Sequence, residues 1–200
     1  RNALLRNDDG YFEDVSIDAA VADTNWSMGC VAADYDNNGW VDLYVTNFGE
    51  NSLFKNKGNG VFENSAIIAG VNHKGWATGA AFADYDLDGY LDLYVANYVD
   101  FSLDYESAIP CMWKNIDVYC GPIGLLPATD ILFKNLGNGT FLDVTTAAGI
   151  NTKPYFGMAA LWGDYNSDGW PDIFVADDST PNKLFKNNGD GTFAEEALVS

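Results

Sequence analysis

The chain is poor in positive charge. Its 200 residues hold 10 lysines and arginines against 29 aspartates and glutamates, which gives a formal net charge of -19. No cluster of basic residues occurs anywhere in the sequence. Because a surface of this sign repels phosphate backbones and anionic lipid headgroups, we expect no nucleic-acid partner and no anionic membrane partner.

Long apolar runs are missing as well. No stretch approaches the roughly 20 residues that a membrane helix needs, so we expect no membrane insertion. The sequence has no initiating Met and no signal peptide, and we expect a mature product or a piece of a longer chain. Hydrophobic residues still make up 48% of it, which is enough for one domain with a real core.

Cysteine is scarce, with three in the chain. Cys111 and Cys120 lie in one irregular segment, close enough in sequence to form a disulfide, which would imply an oxidising compartment. Two free thiols are the alternative. Cys30 stands where the other repeats carry Ala80 and Ala160, so we predict an inert thiol at a small-residue core position.

Catalytic motifs are absent from the sequence. It has no Gly-x-Ser-x-Gly and no phosphate-binding loop, and its single histidine, His73, stands in a connector where we predict it to be exposed and without a partner. Asp177 and Asp178 are adjacent at a predicted strand end, where neighbouring side chains face opposite ways, so they are a weak candidate for a glycosidase pair. We expect a protein that is not an enzyme.

An acidic nine-residue loop is the most informative feature that is present. In the copy at Asp84–Asp92, carboxylates stand at positions 1, 3, 5 and 9. Gly89 allows a sharp turn, and the backbone carbonyl of Tyr90 adds an oxygen, as in a short loop that wraps a hard cation. An EF-hand loop differs, because it needs a Glu at position 12 and a following helix. Here an alternating, strand-like run follows.

The loop occurs three times, at 34–42, 84–92 and 164–172. Ordinary hairpin turns also favour Asp, Asn and Gly, but they have no need of the Asp at position 9. Oxygen ligands without sulfur or nitrogen favour Ca2+ over Zn2+, and several carboxylates without a phosphate favour Ca2+ over Mg2+. The sequence therefore predicts three Ca2+ sites, the middle one the tightest because it has four carboxylates.

The same order of motifs surrounds each loop. A small-residue strand precedes it, and an alternating strand, a strand ending in Phe-Lys-Asn, a Gly-rich turn and a strand with Phe follow it. Turns of this composition between apolar runs are strong hairpin signals. Each unit thus predicts four antiparallel strands over about 50 residues, the size of one propeller blade.

The predicted fold is all-β, with about three and a half propeller-type blades in a partial propeller or open arc. The predicted units are a half blade at 1–20, a first blade at 21–70, a second at 71–150 with an insertion at 99–129, and a third at 151–200. The small first strands suit an innermost position, and Trp26, Trp76 and Phe156 are predicted to pack between blades. Closed propellers typically have four to eight blades. We therefore expect the open edges to be covered by further chain or by other subunits.

These repeats resemble the FG-GAP (VCBS-type) repeats of integrin α-subunit propellers. The three loops carry the likeness, each followed by an Asp-Leu or Asp-Ile pair, together with the turn at 56–62. The insertion, with Pro110-Cys111 and Cys120-Gly121-Pro122, narrows the likeness to the secreted cartilage acidic protein family. The resemblance implies a seven-bladed propeller with Ca2+ in its blade loops, an extracellular or cell-surface setting, and adhesion or binding rather than catalysis.

The resemblance also implies a ligand set for each loop. The side-chain ligands are Asp34, Asp36, Asn38 and Asp42; Asp84, Asp86, Asp88 and Asp92; and Asp164, Asn166, Asp168 and Asp172. The carbonyls of Trp40, Tyr90 and Trp170 complete the three sites at position 7.

Three functions stay open on the sequence alone. The first is a Ca2+-binding extracellular module for adhesion or for a protein or glycan ligand. The second is a structural subunit that assembles head to tail into a fibre or homo-oligomer through open blade edges. The third is an accessory module of a secreted carbohydrate-active enzyme, in which insertion aromatics such as Trp113 would bind sugar. The insertion itself is either functional or a disulfide-stapled flap that covers its blade.

Overall fold

Antiparallel strands account for nearly all of the regular structure. The computed structural model describes residues 2–102, 111–118, 121–122 and 124–197. A hairpin of β1 (Leu5–Asp8) and β2 (Tyr11–Asp14) comes first. The first blade then consists of β3 (Trp26–Ala33), β4 (Asp42–Glu50), β5 (Ser52–Asn56) and β6 (Phe62–Asn64). A single helical turn, α1 (Ala66–Ala69), leads to the next blade.

The second and third blades repeat the same plan. The second consists of β7 (Lys74–Ala83), β8 (Asp92–Asn97), β11 (Ile131–Asn135) and β12 (Phe141–Asp143), and its insertion holds a hairpin of β9 (Cys111–Trp113) and β10 (Ile116–Val118). The third consists of β13 (Gly157–Gly163), β14 (Asp172–Asp177), β15 (Lys183–Asn187) and β16 (Phe193–Glu195). These antiparallel sheets confirm the predicted all-β, partial-propeller fold.

Two of the blades share one sheet, which the sequence did not predict. The end of β4 pairs with the start of β7, with Phe48 opposite Trp76 and Glu50 opposite Lys74. Both strands are longer than their counterparts in the third blade, so their ends extend past their own blades and meet. No such pairing joins β13 to the second blade within the described residues.

The apolar cores lie between blades rather than within them. Tyr44 and Leu53 of the first blade pack with Leu93 and Phe133 of the second. Tyr94 of the second blade in turn packs with apolar side chains of the third, including Ile173, Val175, Phe185 and Phe193. A smaller core, with Val45 and Phe54, lies where the first blade meets the initial hairpin. Each blade is therefore stabilised mainly by its neighbours, as in other repeat architectures.

The small-residue first strands pack on one another, β3 against β7 and β7 against β13. A Cβ atom on Gly29 would lie 2.8 Å from the carbonyl oxygen of Thr78, and one on Gly79 would lie 2.9 Å from that of Met158. Backbones that approach this closely leave no room for a side chain, which explains the glycines in these strands. The first strands of successive blades are thus in contact with one another, as expected for strands that lie innermost in the arc.

The predicted inter-blade aromatics form a line of ring contacts. The ring centroid of Trp76 lies 5.5 Å from that of Phe48 in the first blade and 5.3 Å from that of Tyr98 in its own blade. The ring centroid of Tyr98 in turn lies 5.9 Å from that of Phe156 in the third blade. The prediction is wrong for Trp26. That ring stacks on Phe48 of its own blade and is 62% exposed, because no complete blade packs on this side of it among the described residues.

The prediction for Cys30 is also wrong, since its side chain is exposed. Ala80 and Ala160 pack against the core of the preceding blade, whereas no complete blade packs against Cys30 within the part of the chain that the structure describes. Cys111 begins β9, whereas Cys120 lies outside the described residues, so the Cys111–Cys120 disulfide stays a prediction.

No helix within the described residues is long and apolar enough to cross a membrane.

Candidate metal centres

Each acidic loop is folded by its own carboxylates. Asp34 accepts hydrogen bonds from the backbone N–H groups of Asn38 and Gly39, at 3.0 and 2.8 Å. Asp84 and Asp164 accept the same pair of bonds in their loops. The glycine at position 6 has a positive φ in all three loops, between 88° and 91°, a conformation that disfavours other residues. Backbone hydrogen bonds to the first carboxylate and the conformation of the glycine therefore define the shape of each loop.

The aspartates at position 9 are buried beneath the loops. Asp92 accepts the N–H of Tyr85 on one oxygen, at 3.1 Å, and that of Asn135 on the other, at 2.8 Å. Asp42 and Asp172 make the equivalent pairs of bonds. Burial raises the pKa of Asp42 to about 6 and that of Asp92 to about 7, although the backbone hydrogen bonds oppose the shift. These carboxylates therefore anchor each loop to the third strand of its blade.

The structure gathers carboxylates in two of the three loops. Oxygens of Asp34, Asp36 and Asp42 all lie within 4.8 Å of one another, and so do oxygens of Asp84, Asp86 and Asp88. Positions 1 and 3 are thus common to both groups. The third member is Asp42, at position 9, in the first loop and Asp88, at position 5, in the second.

The third loop is more open. Among the described residues its acids form no such group, and the amide nitrogen of Asn166 donates to Asp168 at 2.8 Å. Asp164, Asn166 and Asp168 are all exposed. The first and second loops lie under a following blade, whereas no blade among the described residues covers the third, which explains the difference. Tyr35 and Tyr85 are accordingly buried, whereas Tyr165 is exposed.

One oxygen in each of the two gathered groups lacks a partner. Oδ1 of Asp36 and Oδ1 of Asp86 are buried and have no hydrogen-bond donor among the described residues. A buried carboxylate oxygen without a partner is costly, and a bound cation would satisfy it. The donor set is all oxygen, as a Ca2+ site requires. The residues of the first two loops therefore fit a Ca2+ ion.

A lysine beside each of the first two loops partly neutralises its carboxylates. Lys55 Nζ lies 2.5 Å from Asp36 Oδ2. Lys134 pairs with Asp86 and lies 3.5 Å from Asp88 Oδ2. The bonds to these carboxylates raise the pKa of both lysines. The sequence analysis missed this role, although the Leu-Phe-Lys-Asn motif recurs in every blade and could have indicated it.

The asparagine that ends this motif connects neighbouring loops, a second role that the sequence analysis missed. The amide of Asn135 donates to the carbonyl of Leu91 in its own blade, at 3.0 Å, and to the carbonyl of Tyr35 in the preceding loop, at 2.8 Å. Asn187 repeats this geometry with Pro171 and Tyr85. Both side chains are buried. Every loop that a later blade covers is thus tied to that blade.

The aromatics at position 7 cover a glycine of the hairpin turn. A Cβ on Gly58, Gly137 or Gly189 would come within 3 Å of the ring of Trp40, Tyr90 or Trp170, respectively. The backbone N–H groups of these aromatics donate to the position-5 side chains at 2.8 to 3.0 Å. That their carbonyls bind metal stays a prediction.

Two other residues singled out in the sequence take different places. His73 is not the exposed residue predicted: it is half buried beside a cavity of about 880 Å³ between the first two blades, and burial lowers its pKa. Val71 and Trp76, on either side of it, fold the connector into this junction. Asp178 accepts a hydrogen bond from the Tyr98 hydroxyl at 2.7 Å. Its neighbour Asp177 has both oxygens buried and without a hydrogen-bond partner among the described residues.

Known proteins share both the repeat and the fold. Part of the chain is 35% identical over 78 residues to cartilage acidic protein 1 of Mus musculus, and 33% identical over 78 residues to the Homo sapiens protein. Each match covers 34% of this chain and 12% of the relative, so the matched segment spans a small part of those proteins. An Agrocybe aegerita lectin, described as recognising non-reducing terminal N-acetylglucosamine, has a similar fold with a TM-score of 0.50 at 16% identity, over 93% of this chain and 42% of the lectin.

The repeat itself is the most extensive match. The FG-GAP-like repeat family matches residues 34–95, 115–175 and 164–200. These segments begin at or include the three acidic loops, so each loop lies within a matched part of the chain. With more than half of its length matched, the chain belongs to the FG-GAP-like repeat family.

Proposed function

We propose that the chain is a Ca2+-binding repeat module of an extracellular protein that adheres to or binds a protein or glycan ligand, without catalytic activity of its own. The unpartnered oxygens of Asp36 and Asp86 carry the proposal, since each is buried in an acidic loop that a later blade covers. The match to cartilage acidic proteins supports the extracellular setting and the binding role.

Ca2+ would supply charge neutralisation and ligand contacts in place of repulsion among neighbouring carboxylates. The second loop offers four carboxylates at the predicted positions, so we propose it as the tightest site. The exposed third loop is proposed as the weakest, because its ligands must be drawn together when the ion binds. Ca2+ would therefore act mainly as a structural ion that fixes each loop against the blade that follows.

Calcium titration of the full chain tests the metal proposal. We expect heat of binding by calorimetry, and a melting temperature that falls when a chelator is added, because a ligand at 100 times its Kd stabilises a fold by about 2.7 kcal/mol per site. The variant Asp86→Asn should weaken binding at the second loop by about tenfold or more.

The matched control is Asp117→Asn, which removes one carboxylate from the exposed strand β10, away from the loops. It should leave the titration unchanged. If Ca2+ produces no heat of binding and the melting temperature is the same with and without chelator, the proposed Ca2+ sites are wrong.

A second candidate function, a subunit that assembles head to tail, has an observation of its own. At the open face of the third blade, Tyr165, Phe174 and Leu184 occupy the positions where Tyr85, Tyr94 and Leu132 receive the next blade. At the opposite end, Cys30 occupies the position where Ala80 packs against the preceding blade. The two open faces thus carry the two halves of an inter-blade contact.

A further inference from the structure

A buried charged cluster lies between the second and third blades, away from the metal loops. It consists of Asp130, which precedes β11, Lys183, which begins β15, and Asp177, which ends β14. Lys183 Nζ lies 3.1 Å from Asp130 Oδ2, and both residues are 2% exposed. The pair therefore connects the return end of the insertion to the last blade.

The environment of this pair is unfavourable for charges. An ammonium group has three donors, yet among the described residues Lys183 Nζ has Asp130 as its one hydrogen-bond partner, with the ring of Tyr155 5.3 Å away. Taking two ions out of water costs several kcal/mol each, which their mutual attraction repays only with good additional hydrogen bonds. Burial thus favours any step that removes both charges.

Asp177 adds an unpaired acid beside the pair. Both of its oxygens are buried without a hydrogen-bond partner in the described structure. Burial raises its pKa to about 7; the charge of Lys183 lowers it, and the charges of Asp130 and Glu195 raise it further. A carboxyl group with a pKa near neutrality can both accept and donate a proton at physiological pH.

The repeat does not require these charges. In the equivalent junction between the first and second blades, Asn51 stands in place of Asp130, Ile131 in place of Lys183, and Asn97 in place of Asp177. The tyrosine neighbour of the first position is retained, but the bond reverses: the Asn51 amide donates to the Tyr44 hydroxyl oxygen, whereas the Tyr94 hydroxyl donates to Asp130. The three charged residues are therefore a feature of one junction only among those described.

We propose that Lys183 and Asp130 become joined by an amide bond between Nζ and Cγ, a covalent cross-link of the second blade to the third. The ammonium first gives up a proton, and the neutral amine attacks Cγ of the protonated Asp130 carboxyl. The C–N bond forms and the bond from Cγ to Oδ2 breaks. That oxygen leaves as water, so an ammonium and a carboxylate yield one amide and one water, with no oxidant, reductant or co-reactant.

Neighbouring groups are placed to assist this condensation. The backbone N–H of Asn97 donates to Asp130 Oδ1 at 2.8 Å, where it would stabilise the negative oxygen of the tetrahedral intermediate. The Tyr94 hydroxyl donates to Oδ2, the leaving oxygen, at 2.9 Å. Asp177 belongs to the same buried cluster but is not hydrogen-bonded to either partner among the described residues; we assign to it the transfer of the proton from the amine to the leaving oxygen once a side-chain movement brings it into reach.

Mass spectrometry of the intact, thiol-reduced chain tests the cross-link. We expect a mass lower than that of the sequence by one water molecule, and a branched tryptic peptide that contains both Lys183 and Asp130. The variant Lys183→Arg keeps the charge but cannot form the amide, so it should regain the full mass. Asp177→Asn should slow the reaction and leave a measurable unlinked fraction.

The chain provides an internal control in Lys134 and Asp86, which also form an ion pair but with the lysine side chain 33% exposed. No branched peptide should join these two residues. A wild-type chain with the full sequence mass after prolonged incubation at neutral pH would overturn the cross-link. An Asp177→Asn chain that is linked as fast as the wild type would overturn the relay assigned to Asp177.

Discussion

Lys55 and Lys134 each hold an ammonium group where a loop gathers its carboxylates. Lys134 contacts both Asp86 and Asp88, which the sequence marks as metal ligands. Such a lysine reduces repulsion while no ion is present, and it must move aside when a cation binds. If Ca2+ binds as proposed, the loop would exchange the lysine ammonium for the metal ion, because its carboxylates already have a positive counter-charge.

Replacing Lys134 by Met should separate these two effects. We expect Ca2+ to bind the second loop at least a few-fold more tightly, because even an exposed ion pair is worth about 0.2–1 kcal/mol, and this partly buried pair no longer competes with the metal. In chelator, the same variant should melt at a lower temperature than the wild type, since Asp86 and Asp88 lose their counter-ion. Calorimetry and thermal unfolding, each with and without Ca2+, measure the two effects.

The control variant is Lys57→Met, which removes a lysine that pairs with Glu63 on the surface rather than with a loop carboxylate. It should leave Ca2+ affinity unchanged. Weaker Ca2+ binding by the Lys134→Met chain would mean that this lysine supports the site instead of competing with the ion.

The third strand of the second blade is connected both to its own loop and to the loop before it. Its lysine contacts the loop carboxylates, and its asparagine donates the backbone N–H to the position-9 aspartate. The asparagine amide then connects that blade to the loop before it. The strand therefore couples sheet, loop and neighbouring blade within two consecutive residues.

Matched alanine variants measure the bond between blades. Asn135→Ala removes the bonds to Leu91 and Tyr35, whereas Asn56→Ala removes a bond to Val41 within its own blade. Because a buried carbonyl left without its donor costs about 1–3 kcal/mol, we expect Asn135→Ala to lower the free energy of unfolding by about 1–3 kcal/mol more than Asn56→Ala does. Denaturant unfolding of both variants gives the difference, and equal losses would show that the bond between blades contributes nothing.

Sequence periodicity predicts these elements well but not their cross-blade contacts. The hairpin signals at Gly58, Gly137 and Gly189 place the strands, since turn chemistry is local. The acceptor of the Asn135 amide lies 100 residues away along the chain, and no local pattern identifies it. Trp26 and Cys30 were misplaced for the same reason, because burial depends on whether a neighbouring blade covers the residue.

At the scale of the described arc of blades, the first and the third blade present two different faces that no other described blade covers. The face of the third blade exposes Leu161 and Phe174, and the face of the first exposes Met28 and Cys30. Large exposed apolar areas mark interaction surfaces or aggregation sites. The faces correspond to opposite sides of one inter-blade contact, so the end of one copy offers what the start of another would pack against.

Light scattering over a concentration series tests this head-to-tail contact. We expect the wild-type particle mass to rise with concentration, and Leu161→Glu to suppress the rise by placing a charge at the contact. Leu161 is 66% exposed, so the substitution should be tolerated by the fold. Ile68→Glu is the control, since Ile68 is 76% exposed on α1, outside both faces. A wild-type chain that stays monomeric at every concentration would exclude self-assembly.

The bonds made by Asn135 and Asn187 have a consequence for how such proteins grow over evolutionary time. In each, the earlier blade supplies the tyrosine carbonyl and the later blade supplies the asparagine amide. A duplicated blade inherits both halves, so it can bond to the blade before it and to the blade after it without any new mutation. Tandem duplication can therefore lengthen the array one blade at a time. A blade that lacked either the tyrosine carbonyl or the asparagine amide at these positions would break the series of bonds.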